Sequence, residues 1–212
     1  MSPLVLVAYR NRPTHLSCFL LHVQKHYPGM HIAVIEDIGN SPWNKGLLFN
    51  IGYELLAKDH KYLILHDVDF IPVVGKVDYS YCPVPTMIAG ESSQFDYRLT
   101  YPTFFGGVVI LSKEHYQLVN GFSNLFKGYG GEDDLLYRSF IKKGITPSTK
   151  NGRFECFAHP RPKREDEYQH NLRVLAAGRD FTEGLSTITN MYDIMSIEKD
   201  SNYTHIKVRT NG

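Results

Sequence analysis

Residues 62–70, YLILHDVDF, run from an apolar stretch straight into two carboxylates, Asp67 and Asp69, with only Val68 between them. A short apolar run of this kind reads as a buried strand. In an extended strand alternate side chains share a face, so both acids would point the same way and repel. Positive charge is therefore expected opposite them.

The residues before this stretch give it a place. LVLVAY (4–9) is a second apolar run, closed by the polar break RNRP. HLSCFLLHVQKHY (15–27) repeats its apolar residues at helical spacing, with Thr14 as the expected N-cap behind Pro13 and Pro28-Gly29 as the stop. HIAVIED (31–37) reads as a second strand and NKGLLFNIGYELLAKDH (44–60) as an amphipathic helix. The order βαβαβ predicts an α/β fold with a mostly parallel sheet, whose ligands sit at the carboxyl ends of the strands. Asp67 and Asp69 lie at such an end.

Past residue 75 the pattern loosens. VDYSYCPVPTMIAG (77–90) is irregular, and TFFGGVVILS (103–112) reads as a strand headed by paired glycines. Helix signals return at KEHYQLVNGF and at EDDLLYRSFIKKGI, the latter stopped by Gly144 beside Lys142 and Lys143. PRPKREDEYQ (160–169), rich in proline and charge, reads as a loop. No repeat, low-complexity tract or boundary divides the chain, so 1–212 is expected to be one domain.

Composition excludes several classes. With 23 basic and 22 acidic residues there is no overall field for nucleic acid or an anionic membrane, so any bound anion must be met locally. Cys18, Cys82 and Cys156 are an odd number without CxxC spacing, which argues against a disulfide framework and a zinc knuckle. No apolar stretch approaches the roughly 20 residues of a membrane span.

Two acidic clusters and their neighbours carry candidate chemistry. Asp67 and Asp69 suit a hard divalent cation shared with a phosphate, though two solvated carboxylates at a strand end would look the same. In KGYGGEDD, Glu132, Asp133 and Asp134 follow Gly128, Gly130 and Gly131 at a helix start. The positive helix end favours acids there, but capping needs only one. Arg10 and Arg12 stand directly after the first strand, where phosphate-binding cations belong in open sheets. His159 alone is more often a satisfied histidine than a ligand.

The order of RNRPTHL, WNKGLLFNIGYE, HDVDFIP, FFGGVVILSKEHY and NGFSNLFKGYGGEDD, followed by a histidine, resembles the β-1,4-galactosyltransferase family, the seventh glycosyltransferase family, over nearly the whole chain to EGLSTIT. The resemblance implies a GT-A fold, a Rossmann-like α/β/α domain. Its nucleotide-binding half would span 1–75 and its acceptor and catalytic half 76–212. It implies an inverting enzyme that uses a UDP-sugar donor, a glycan acceptor and Mn²⁺, with Mg²⁺ or another divalent cation as alternatives.

By position, the resemblance places Ala8, Tyr9, Arg10 and Arg12 on the uridine and diphosphate, with Trp43 and Lys45 as aromatic and basic donor contacts. Asp69 and His159 would be metal ligands. Asp67, Val68, Gly107, Tyr129 and Glu132 would lie on the donor side, Asp133 would be the catalytic base, and Asp134 would contact the acceptor. Cys156 falls where better-known members carry a methionine ligand, and is a further candidate ligand of softer character. Phe104 replaces a tyrosine beside the donor's C2 substituent; its bulk favours galactose over N-acetylgalactosamine. Lys127 and Tyr129 replace tryptophans, and the region of His170 and Arg173 lacks the apolar residues that receive an N-acetyl group, so N-acetylglucosamine is not expected as acceptor. The family's disulfides are not expected either, because Leu63 stands near where a partner for Cys82 would fall.

Three other readings compete: a UDP-N-acetylgalactosamine transferase of the same family, a non-catalytic sugar- or nucleotide-binding partner of a glycan polymerase, which should have lost Asp69, Asp133 or His159, and a phosphohydrolase, which should show a second metal cluster. The free thiols and absent anchor suggest a cytoplasmic enzyme, with an excised Golgi luminal domain as the alternative. The NYT sequon at 202–204 is too common a pattern to weigh.

Overall fold

The computed structural model describes residues 2–160, 164–200 and 203–211. Its first half is β1 (Leu4–Tyr9), α1 (Pro13–His26), β2 (His31–Asp37), α2 (Lys45–Leu56) and β3 (Tyr62–His66). β1 lies between β2 and β3 and parallel to both, Leu4 facing His31 on one side and Leu63 on the other. A central parallel strand is covered on both faces, which is why LVLVAY is apolar without alternation and buried throughout.

α1 is capped two residues earlier than the expected Thr14. Arg12 is the N-cap and Pro13 occupies the first turn, where its fixed φ and missing N–H cost nothing. The Asn44 side chain caps α2 by accepting from the Leu47 N–H at 2.9 Å. α2 is not amphipathic: every residue from Gly46 to Tyr53 is buried. Gly52 lets the helix settle on the sheet, since a Cβ there would come within 2.7 Å of Leu6. Its other side is covered by the 120–124 segment. The fully buried Asn50 amide donates to Phe122 O at 3.0 Å and accepts from the Tyr116 hydroxyl at 2.7 Å.

The chain continues through β4 (Phe70–Pro72), β5 (Thr86–Met87), β6 (Glu91–Ser92), β7 (Val108–Ser112), α3 (Lys113–Leu118), α4 (Glu132–Lys142), β8 (Ser148–Thr149), β9 (Arg153–Cys156), α5 (Glu165–Ala177), β10 (Tyr192–Lys199) and β11 (Tyr203–Thr210). Eight strands form one sheet in the order β10-β11-β2-β1-β3-β7-β5-β8, and β4-β9-β6 form a small second sheet. The run from β11 to β3 is parallel, while β7 and β10 are antiparallel to their neighbours.

Two further sequence expectations need correction, and one hairpin is new. β3 stops at His66, and Asp67 to Asp69 form a turn in which Phe70 N donates to Asp67 O at 3.2 Å. The two acids therefore do not share the face of an extended strand. PRPKREDEYQ is not all loop: α5 starts at Glu165, its first turn holding Glu165, Asp166 and Glu167 where the positive helix end favours them. Residues 161–163 of that stretch lie outside the described residues. The hairpin of β10 and β11 was not anticipated, although Thr204, Ile206, Val208 and Thr210 are buried with a period of two. Asn202 of the sequon lies outside the described residues.

All three cysteines are free thiols. Among the described residues, no helix is long and apolar enough to cross a membrane.

Candidate active site

A cleft of about 290 Å³ opens at the carboxyl ends of β1 and β3, between the Asp67 turn and the glycine turn that starts α4. It continues past Ala8, Arg12, Trp43 and His159 into a second lobe of about 390 Å³.

Lys45, the first residue of α2, is the hub of the inner lobe. Its Nζ lies 2.8 Å from Asp133 Oδ2, 3.1 Å from Glu132 Oε1 and 3.8 Å from Asp67 Oδ1. One ammonium among three carboxylates stays charged, so its pKa is raised well above its usual value despite burial. The acids cannot all ionise around it. Burial pushes Asp133 up to about 8, with Lys45 opposing and Glu132 and Asp67 adding to the rise. Burial likewise pushes Asp67 up to about 6. Asp133 and Asp67 thus titrate together.

Asp133 is aimed by its surroundings. Gly131 caps α4 at φ +95°, a left-handed conformation that glycine adopts without strain, and turns the chain so that the helix begins at Glu132. Gly106 leaves room for the carboxylate, since a Cβ there would sit 2.4 Å from Asp133 Oδ2. Asp134 accepts from the Tyr101 hydroxyl at 2.7 Å.

Asp69 faces different partners. β4 pairs with β9 so that Phe70 opposes Cys156, and Phe157 N donates to Asp69 O at 2.9 Å. This brings the chain just beyond β9 across the turn, and His159 Nε2 lies 3.3 Å from Asp69 Oδ2. The His159 Nδ1 faces the Pro160 carbonyl at 2.9 Å. A carbonyl only accepts, so Nδ1 carries a proton and Nε2 is the nitrogen turned to the carboxylate, a donor when it holds a proton and a ligand when a cation takes that place. Two acceptors at that distance require a proton or a cation between them. A carboxylate oxygen with an imidazole nitrogen suits Mn²⁺, and the residues present fit such an ion. Burial pushes Asp69 up, but the hydrogen bond and charge of His159 and the charge of Arg12, whose Nη1 is 3.9 Å away, outweigh it and hold the acid below its usual range.

The sequence around this cleft matches known proteins. Residues 2–83 match the model described as the N-terminal region of glycosyl transferase group 7, and residues 87–163 match that of the N-terminal domain of galactosyltransferase. The chain belongs to glycosyltransferase family 7, the β-1,4-galactosyltransferase family. It is 34% identical over 215 residues to rat beta-1,4-galactosyltransferase 6, covering 96% of this chain and 55% of the relative. It is 30% identical to mouse beta-1,4-galactosyltransferase 1, covering 96% and 53%. The chain thus spans about half the length of the curated relatives it matches. In fold it resembles the catalytic domain of Drosophila beta1,4galactosyltransferase 7, in a complex with xylobiose, with a TM-score of 0.83, 22% identity and coverage of 100% and 94%. A mutant of that Drosophila protein, in complex with manganese, UDP-Gal and xylobiose, aligns with a TM-score of 0.81 and 22% identity, covering 100% of this chain and 95% of that one. The chain accordingly has the GT-A fold.

Most positions matched to the family motifs converge on the cleft. Ala8, Arg12, Trp43 and Lys45 line it on one side and Val68, Phe104 and Gly107 on another. Arg10 lines the second lobe, its guanidinium 5.5 Å from the Trp43 ring centre. Tyr129 lines both lobes and is 45% exposed. Tyr9 is buried, and its hydroxyl accepts from the Arg12 N–H at 3.0 Å, so it shapes the RNR turn from beneath. Cys156 is half-buried, its thiol pushed up to about 11 chiefly by burial. Among the described residues no three His, Cys, Asp or Glu side chains form a group that could hold an ion.

Some residues of the site escaped the sequence reading. Tyr101 is one tyrosine among 14 and had no spacing to mark it. Gly106 was visible only as half of a glycine pair. Asp37, 2% exposed and ion-paired with Arg10, looked like the polar end of a strand.

Proposed function

We propose that this chain is an inverting, cation-dependent glycosyltransferase that moves a hexose, galactose first among them, from a UDP-sugar to a hydroxyl of a glycan acceptor. The observation that carries this reading is one cleft holding both the Asp69–His159 pair and a half-buried carboxylate, Asp133, held by Lys45 at 2.8 Å. The names of the relatives, and the manganese, UDP-Gal and xylobiose bound to the Drosophila neighbour, support it.

Asp69 and His159 would hold Mn²⁺ or Mg²⁺, which when bound supplies Lewis-acid charge to the departing diphosphate. Arg10 and Arg12 add fixed positive charge beside the same phosphates, and Trp43 offers its face to the base. Asp133 takes the proton of the acceptor hydroxyl as its oxygen bonds to the sugar C1. The C1–diphosphate bond breaks with its electron pair leaving on UDP. Attack opposite the leaving group turns an α-linked donor into a β-linked product. Glu132 faces the donor sugar, while Asp134 and Tyr101 border the acceptor side. Phe104 packs edge-on against Phe95 and Tyr101 at 5.9 and 5.6 Å, an aromatic wall that favours galactose over a donor with a bulkier C2 substituent.

The test is a donor panel of UDP-galactose, UDP-N-acetylgalactosamine, UDP-glucose and UDP-N-acetylglucosamine, with Mn²⁺ and an acceptor panel. UDP-galactose should give the highest rate of UDP release with a glycoside product. No release from any donor would overturn the reading.

Two further expectations follow from Asp133. Ala at position 106 would displace its carboxylate while leaving the fold intact, because only the end of a side chain must move. Gly106→Ala should lower the transfer rate by about 10²-fold with little change in melting temperature; unchanged turnover would contradict this. A base must be deprotonated, and Asp133 is protonated below its raised pKa. kcat/KM should therefore rise about tenfold per pH unit below a limb that lies well above the ordinary carboxylate range. A pH profile already flat above pH 5 would remove Asp133 from that role.

A further inference from the structure

Arg10 and Trp43 flank the second lobe, and Arg10 and Ser41, two residues before Trp43, belong to a ring of hydrogen bonds that ends in the last strand. Arg10 Nη1 donates to Ser41 O at 2.9 Å, and Ser41 Oγ donates to Thr210 O at 2.8 Å. Thr210 Oγ1 donates to Asp37 Oδ2 at 2.9 Å, and the same Asp37 oxygen is ion-paired with Arg10 Nη2, which closes the ring. Asp37 Oδ1 also accepts from Gly39 N at 2.8 Å and from Thr210 N at 3.4 Å. The three anchors sit at the same ends of adjacent strands, β1, β2 and β11. Asp37 and Thr210 are 2% and 6% exposed, so the network works in a medium where an unpaired carboxylate is costly. The Arg10 Nε is buried and has no hydrogen-bond partner among the described residues, so the guanidinium's hydrogen bonds come from Nη1 and Nη2 within this ring, beside its stacking on Trp43.

We propose that Asp37 and Thr210 are positioning residues for the nucleotide diphosphate: through the ring they fix Arg10 and the 38–43 loop bearing Trp43, so donor affinity depends on the last strand of the sheet. Neither residue touches the cleft. The proposal rests on the functional reading above and adds to it a determinant of donor binding, Thr210, that lies 200 residues along the chain from Arg10. It asks for a loss in binding rather than in chemistry, because Asp133 belongs to another part of the cleft.

Trp43 is the single tryptophan of the chain, so its fluorescence reports on this wall directly. The test compares T210V, T210S and D37N with the wild-type chain by UDP titration in Mn²⁺, by acrylamide quenching of Trp43 and by steady-state kinetics. T210V removes one hydroxyl at nearly constant volume. It should weaken UDP binding and raise the donor KM by about tenfold, leave kcat within about twofold, and make Trp43 more quenchable. D37N should do the same or more, and T210S, which keeps the hydroxyl, should restore wild-type values. If D37N fails to fold, the T210V and T210S pair carries the test. Wild-type UDP affinity and wild-type quenching in T210V would overturn the inference while leaving the functional reading intact. A wild-type chain that binds no UDP would overturn that reading, and this inference with it.

Discussion

Asp133→Asn should lower the rate of sugar transfer by about 10²- to 10⁴-fold. UDP and Mn²⁺ should bind to the variant within about twofold of their wild-type affinity. The substitution keeps the shape of the side chain and a hydrogen-bonding oxygen for Lys45, 2.8 Å away, but removes the ability to accept a proton. Above the raised pKa of Asp133 the substitution removes one of three carboxylates crowded around one ammonium, and below it replaces one neutral group by another, so the variant should be no less stable than the wild type. Single-turnover transfer from UDP-galactose separates the chemical step from binding. A variant that binds donor normally and transfers at the wild-type rate would remove Asp133 from the chemistry.

Asp69→Ala and His159→Ala should each weaken Mn²⁺ binding, measured with UDP present, by more than about 10²-fold, since loss of an outer-shell partner alone costs about 10- to 100-fold. The two side chains are only 6% and 9% exposed, and Arg12 lies 3.9 Å from Asp69. Removing Asp69 therefore leaves a cationic group less compensated, and its melting temperature should fall more than that of His159→Ala. Paramagnetic resonance of Mn²⁺ counts bound ions independently of turnover. Unchanged Mn²⁺ affinity in both variants would remove this pair from the metal site.

The parts of the fold governed by local pattern were legible in the sequence. LVLVAY, HIAVIED and YLILH carry apolar runs between polar breaks, and each is a strand. The failures have physical causes. The first turn of α5 is as charged as a loop, but its acids suit a helix N-terminus. β10 is half or fully exposed along its length and pairs with only one neighbour, so it lacks the apolar signal of a central strand. At the site, the expectation of positive charge opposite the two acids was met by Lys45 on Asp67 and by Arg12 on Asp69, although the extended-strand geometry behind it was wrong. His159 reaches Asp69 only because β9 pairs with β4, a contact across 86 residues that periodicity cannot reveal. The ring through Thr210 is equally long in range, joining ends of the chain that carry no shared motif.

The most direct measurement is the anomeric configuration of the glycoside formed from UDP-galactose, read by proton NMR before the product can equilibrate. Displacement by an acceptor hydroxyl that Asp133 deprotonates inverts C1, and gives a β-galactoside with release of UDP. An α-linked product, or UDP released only with free galactose, would contradict direct transfer across this cleft.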